Sequence, residues 1–279
     1  MARPILAQPR ALLRAFVICG HLLLGAIIIL GLTLWRALWR ALWRASGRST
    51  ASSPAIVRRW YQLLIQMLGL KIQVHGRLAE RALLVANHIS WLDVPVLGSL
   101  GPISFLSKSE VRHWPLIGWM SAQVGTLFIK RGGHQTADLI EQIATRVREQ
   151  QSVVIFPEGT TSDGHRLRRF HPRLLAAAQQ PGVAVQPVAI RYGSNAHPDP
   201  IAPFIDDDSL ITHLWRILCQ PRTLVEVRWL EPVVTTRMDR RGVATRCEQQ
   251  IARALALNPS ATADPAISQR HSTEGEHRQ

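Results

Sequence analysis

The first 79 residues of this 279-residue chain hold no acidic side chain; the first is Glu80. Nine arginines fall within residues 1–60, and the whole chain carries a formal charge of +14. Positive charge beside an apolar stretch suits an anionic membrane surface. Nucleic acid is the rival partner for so basic a chain. Zinc-finger spacing, RNP-type aromatics and a basic-helix pattern are all missing, so no nucleic-acid partner is expected. Cysteine is scarce as well. Cys19, Cys219 and Cys247 lie far apart, and there is no CxxC pair. An odd, unpatterned set argues against a disulfide framework and fits a reducing compartment. All three are expected to be buried small hydrophobes. No metal spacing occurs, and neither a metal nor a cofactor is expected. A GxSxG elbow is absent too, which leaves no serine nucleophile of that type.

Residues 15–35, AFVICGHLLLGAIIILGLTLW, carry no charge unless His21 is protonated. At about 1.5 Å per residue this run reaches across a hydrocarbon core of roughly 30 Å. A signal peptide would have a shorter apolar region and a small-residue cleavage site. Here the run passes into WRALWRALWRAS, so a retained membrane helix is expected. Trp35, Trp39 and Trp43 recur every four residues and form one helical ridge, with Arg36, Arg40 and Arg44 forming the next. Indole beside guanidinium suits the headgroup layer. Residues 57–70 form a second amphipathic helix, too short to span.

From Lys71 the texture changes. Runs rich in β-branched residues (IQVHG, ALLVANH, ISFLS, TLFIKR, SVVIFPEG, VAVQPVAIRY, TLVEVRWL) alternate with helical stretches at 93–100, 135–150, 173–179, 207–219 and 239–257. That alternation predicts an α/β fold with a mainly parallel sheet covered by helices. The expected organisation is an anchor and interfacial segment over 1–53, a catalytic domain over 54–257 and a disordered tail over 258–279.

Three strand ends carry chemistry. Strand ALLVA runs into Asn87-His88-Ile89-Ser90-Trp91-Leu92-Asp93. Ser90 is placed to cap a helix in a capping-box arrangement with Asp93. Positions five apart on a strict helix lie about 140° apart. A turn before the cap removes that obstacle and brings Asp93 to the imidazole. The carboxylate then holds one ring nitrogen protonated and leaves the other free as a base. On spacing alone, a cap beside a loop histidine fits equally well. At Phe156-Pro157-Glu158-Gly159-Thr160-Thr161-Ser162 a strand enters a turn with one carboxylate and three hydroxyls, able to hold phosphate oxygens. Gly125-Thr126-Leu127-Phe128-Ile129-Lys130-Arg131 ends a strand in two cations suited to phosphate.

The set resembles the glycerolipid acyltransferase family, which includes the 1-acylglycerol-3-phosphate acyltransferases. Asn87, His88 and Asp93 match its NH-x4-D motif, and Gly125, Phe128 and Arg131 its Gly–Phe–Arg strand. Residues 156–162 match its FPEG motif, and 185–188 its proline-centred stretch, in the family's order over residues 60–230. Two departures stand out. Thr161 replaces a common Arg, and Arg169-Phe170-His171-Pro172-Arg173 replaces a basic-Gly pattern.

The resemblance implies that His88 deprotonates the acceptor hydroxyl and that Asp93 orients His88. It implies direct transfer from acyl-CoA or acyl carrier protein. Arg131, Glu158, Gly159, Thr160 and Thr161 are the implied acceptor-binding residues, with Glu158 holding Arg131 or a glycerol hydroxyl. The expected acceptor is lysophosphatidic acid, acylated at the sn-2 hydroxyl to phosphatidic acid. A lyso-aminolipid such as lyso-ornithine lipid is the alternative. The expected location is the inner membrane, with the domain facing the cytoplasm. The rival readings are a lipid hydrolase and a membrane-surface scaffold.

Overall fold

The computed structural model describes residues 7–43, 54–114, 116–123, 126–129, 136–149, 151–180, 182–205, 207–236 and 238–257. Strands β1 (Leu70–His75), β2 (Ala82–Ala86), β3 (Ile103–Lys108), β4 (Leu127–Ile129), β5 (Ser152–Ile155), β6 (Ala184–Tyr192) and β7 (Thr223–Trp229) make one sheet. Their order is β1-β7-β6-β2-β5-β3-β4. The five strands β6, β2, β5, β3 and β4 are mutually parallel, and β7 runs antiparallel to β6. The expectation of a mainly parallel sheet holds, with a reversed pair at one edge.

The apolar strand runs determine this layout. Every side chain of β2, ALLVA, is buried, as a strand covered on both faces requires. Leu83 and Val85 join a core with Ile143 of α5 (Thr136–Arg148) and Ile251 of α7 (Arg240–Leu255). Leu84 and Ala86 face the other core, with Leu68 of α2 (Pro54–Leu68), Leu97 of α3 (Asp93–Leu100) and Leu218 of α6 (Leu210–Cys219). A short helix α4 (Ile117–Gln123) and a 3-10 turn at Ser109–His113 were not expected from the sequence.

The N-terminal apolar run lies in one continuous helix, α1 (Ala7–Trp43). It is long and apolar enough to cross a membrane. One of its faces is docked on the domain, which the sequence did not announce. Ala11 and Ile18 are buried, and the His21 ring stacks on Trp60 of α2 at 4.7 Å. The Arg14 guanidinium donates to the Leu218, Gln220 and Pro221 carbonyls at 3.2, 2.6 and 3.0 Å. These acceptors end α6, where a cation meets the negative pole of a helix. The opposite face of α1 is bare: Phe16 is 79% exposed. Trp35 is exposed, while the side chains of Trp39, Trp43, Arg36, Arg40 and Arg44 lie outside the described residues. So does the expected tail, residues 258–279. The cysteines depart from expectation. Only Cys247 is buried, its thiol pushed up to about 12 by burial, while Cys219 is half-buried and Cys19 exposed on α1.

Candidate active site

Five parallel strands place their C-terminal ends on one edge of the sheet, where crevices form in α/β proteins. Just past β2, buried Asn87 uses its side-chain amide in place of a backbone pair. Nδ2 donates to the Ile190 carbonyl at 2.9 Å, and Oδ1 accepts from the Ile190 N–H at 2.8 Å. The side chain thus continues the β2–β6 pairing, and the main chain is free to turn at His88.

The turn brings His88 and Asp93 together, with Nδ1 and Oδ2 2.8 Å apart. Oδ2 also accepts the Ile89 and Ser90 N–H groups at 2.8 and 3.0 Å. Oδ1 accepts the Tyr192 hydroxyl at 2.8 Å. Asp93 has no exposed surface, and a buried carboxylate needs such donors. An ionised carboxylate only accepts, which assigns the imidazole proton to Nδ1 and leaves the Nε2 lone pair free. The His88 side chain is 19% exposed, and its ring stacks on Phe156 at 4.1 Å.

The expected Ser90 cap is not formed. α3 begins at Asp93, preceded by Leu92 in the helical conformation with no side-chain cap. Residues 90–93 already turn helically, through the Asp93 N–H to the Ser90 carbonyl at 3.1 Å. The hydroxyl of Ser90 is buried without a hydrogen bond, and the Asp93 carboxylate does the capping in reverse.

Glu158, expected to hold Arg131 or a glycerol hydroxyl, holds the backbone of the His88 turn, while Arg131 lies outside the described residues. Glu158 is 3% exposed and lies behind the His88 turn. Its Oε1 accepts the His88 N–H at 2.8 Å, and its Oε2 accepts the Arg168 N–H at 3.1 Å. Both oxygens are committed to the backbone, so the residue braces His88. Burial pushes its carboxyl up to about 7, against the two N–H donors that pull it down. The His88 carbonyl is held in turn by the Ser162 N–H at 2.8 Å. Thr161 donates its hydroxyl to the Phe204 carbonyl, and Phe204 donates its N–H to the Ile89 carbonyl at 3.0 Å. Gly159, at φ +71°, closes the turn; it and Thr160 are exposed at its mouth. Strand β4 ends at Ile129 on this same edge, while Gly125, Lys130 and Arg131 lie outside the described residues.

Two residues of the site were not foreseen from the sequence. Tyr192, 99 positions from Asp93, closes β6 and has the look of an ordinary core aromatic. Burial first, then the neighbouring Asp93 charge, pushes its phenol well above the ordinary value, so it stays a donor. His213 of α6 is fully buried and accepts the Trp91 indole N–H at 3.0 Å, with Nε2 3.1 Å from the Pro203 carbonyl. It steadies the loop between His88 and Asp93. No local pattern announces either contact.

A family model described as Acyltransferase matches residues 71–191. The lyso-ornithine lipid O-acyltransferase of Pseudomonas aeruginosa is 41% identical over 251 residues, covering 90% of this chain and 95% of that one. The 1-acyl-sn-glycerol-3-phosphate acyltransferase of Neisseria gonorrhoeae is 34% identical over 52% of this chain and 57% of its own. The crystal structure of the 1-acyl-sn-glycerophosphate acyltransferase from Thermotoga maritima superposes with a TM-score of 0.64 at 20% identity. It covers 90% of this chain and 95% of that one, a likeness of fold.

Proposed function

The chain belongs to the glycerolipid acyltransferase family, that of the 1-acylglycerol-3-phosphate acyltransferases, and on that footing we propose that it acylates the hydroxyl of a lyso-ornithine lipid. The observation that carries the acceptor is the 41% identity to the Pseudomonas aeruginosa enzyme along nearly the whole of both chains. The site's polar groups agree. An ornithine headgroup offers a carboxylate and an ammonium and needs less phosphate-binding capacity than a phosphomonoester. Here Thr161 stands where many relatives carry Arg, and its hydroxyl is taken by the Phe204 carbonyl. Lysophosphatidic acid is the second reading, supported by the Neisseria gonorrhoeae relative.

The chemistry is the same for either acceptor. His88 Nε2 takes the hydroxyl proton as that oxygen attacks the thioester carbonyl carbon. The C–S bond then breaks, and the departing thiolate receives the proton from the imidazolium. Asp93 fixes the tautomer and balances the positive charge, the type of help that contributes about 10²–10⁴-fold. The bare face of α1 holds the enzyme at the cytoplasmic membrane, with the domain on the side where acyl-CoA or acyl carrier protein is found.

The test uses the purified full chain with one acyl thioester and, in separate arms, lyso-ornithine lipid, lysophosphatidic acid or no acceptor. The expected result is a higher kcat/KM for lyso-ornithine lipid. A preference for lysophosphatidic acid rejects the acceptor and keeps the class. Free fatty acid released equally fast without acceptor rejects the transferase reading.

A further inference from the structure

Asp93 is held at both oxygens, and the two sides have different origins. Oδ2 is served by its own loop: the His88 ring and the Ile89 and Ser90 N–H groups. Oδ1 is served from another strand, by the Tyr192 hydroxyl. Tyr192 sits where β6 pairs with Val225 of β7, so its backbone is fixed by the sheet. Its side chain is buried beside Ile190 and Val188 in the core under α3. The phenol is therefore an immobile donor aimed at a carboxylate of no exposure.

We propose that Tyr192 is a positioning residue of the acyl transfer, acting through Asp93 on the basicity of His88. Its hydroxyl draws charge toward Oδ1 and so limits how strongly Oδ2 pulls the imidazole toward its cationic form. It also keeps the carboxylate from turning away from Nδ1. Without it, Oδ2 carries more of the charge, and His88 takes its proton at higher pH. The part of this concerning rate rests on the acyltransferase reading; the part concerning His88 does not. Two other acids bear on the measurement. Glu158 touches the His88 backbone, and Asp199 lies near Tyr192. Both remain in the variants below, so differences between proteins isolate the phenol.

The experiment compares wild type, Tyr192→Phe and a protein with 3-fluorotyrosine at position 192, a stronger donor. Carbethoxylation of His88, followed by peptide mass spectrometry from pH 5 to 8, reads the neutral imidazole without substrate. In Tyr192→Phe the pH of half-reactivity should rise by about half a unit or more, as loss of a hydrogen bond to a charged group implies. The fluorinated protein should move the other way. With lyso-ornithine lipid and an acyl thioester, kcat should fall roughly tenfold in Tyr192→Phe with KM nearly unchanged. An unmoved His88 profile in both variants overturns the proposal, whatever happens to stability. Absence of acyl transfer by wild type to any lyso-lipid overturns the functional reading instead, and the His88 titration alone then decides the role of Tyr192.

Discussion

Glu158→Gln separates the two things this carboxyl does, because they respond oppositely to pH. Each Glu158 oxygen accepts one backbone N–H, from His88 and from Arg168. A carboxyl oxygen retains a lone pair whether or not the group is protonated. An amide nitrogen has none to offer and carries its own hydrogens. The variant therefore leaves one buried N–H facing a donor, at about 1–3 kcal/mol, at every pH. Ionisation acts the other way. Burial raises the wild-type carboxyl from its ordinary 4.5 to about 7. Below pH 4.5 it is protonated in both folded and unfolded chains, and no penalty arises. Between 4.5 and about 7 the unfolded chain ionises first, and the native state loses roughly 3 kcal/mol, constant above that range. Glutamine escapes this loss. At pH 5, where the wild type has lost about 1 kcal/mol of this, the variant should still be the less stable protein, by up to about 2 kcal/mol. At pH 8 the gap should close or reverse. Thermal unfolding of both proteins in one detergent at the two pH values is the assay. A gap that stays constant or widens toward pH 8 refutes the reasoning. Activity should fall at both pH values, because the His88 backbone loses part of its hold.

His88→Ala and Asp93→Asn should each lower turnover by about 10²–10⁴-fold while membrane association is unchanged; near-normal turnover in His88→Ala removes the base. Arg131→Ala should raise the apparent KM for the acceptor more than for the acyl donor, read by steady-state kinetics with each substrate varied; a change confined to the donor rejects its acceptor role. Burial lowers the His213 imidazole from its ordinary 6.5, so its stabilisation is present above that pH and is lost as pH falls below it. Against wild type, His213→Leu should show a weaker drop in Tm between pH 7 and 5; an identical drop refutes the assignment.

The sheet was legible because each strand is a short run of β-branched or leucine residues bounded by turn residues, as in ALLVA before Asn87 and SVVI before Phe156-Pro157. The His88–Asp93 approach was legible as well, since the two lie five positions apart and a turn is the local way to join them. What stayed hidden is what depends on the third dimension. Ser90 looked like a cap because the first helical turn, which displaces it, is not visible in composition. Glu158 looked like a ligand residue because a carboxylate in a loop ordinarily faces water. Here the loop folds inward on two backbone N–H groups. Tyr192 and His213 act across 99 and 122 positions, and nothing in IRY or ITHLW marks a donor or acceptor. Docking of α1 was hidden too, because Ala11, Arg14 and Ile18 belong to a run whose average is simply apolar.

The braces also bear on the acceptor selectivity proposed above. His88 is gripped through its N–H by Glu158, its carbonyl by Ser162, its Nδ1 by Asp93 and its ring face by Phe156. Nε2 is left outside these contacts, the preorganisation that the proposed general base needs. The same contacts already engage two groups expected to read the acceptor, Glu158 and the Thr161 hydroxyl. On the proposed function, discrimination between an aminolipid and a phosphomonoester would fall to side chains at the mouth of the turn. Thr160 is exposed there, and so are Arg166, Arg168 and Arg169 on the loop that follows. That loop is pinned by buried Leu167 and Phe170 and by its N–H bonds to Glu158 and Glu248, so its outward arginines are held on a fixed backbone. On the proposed reaction, a braced His88 beside this basic rim separates the chemistry from the reading of the headgroup. Exchanging the rim arginines should therefore change the ratio of kcat/KM for the two acceptors; an unchanged ratio rejects this placement.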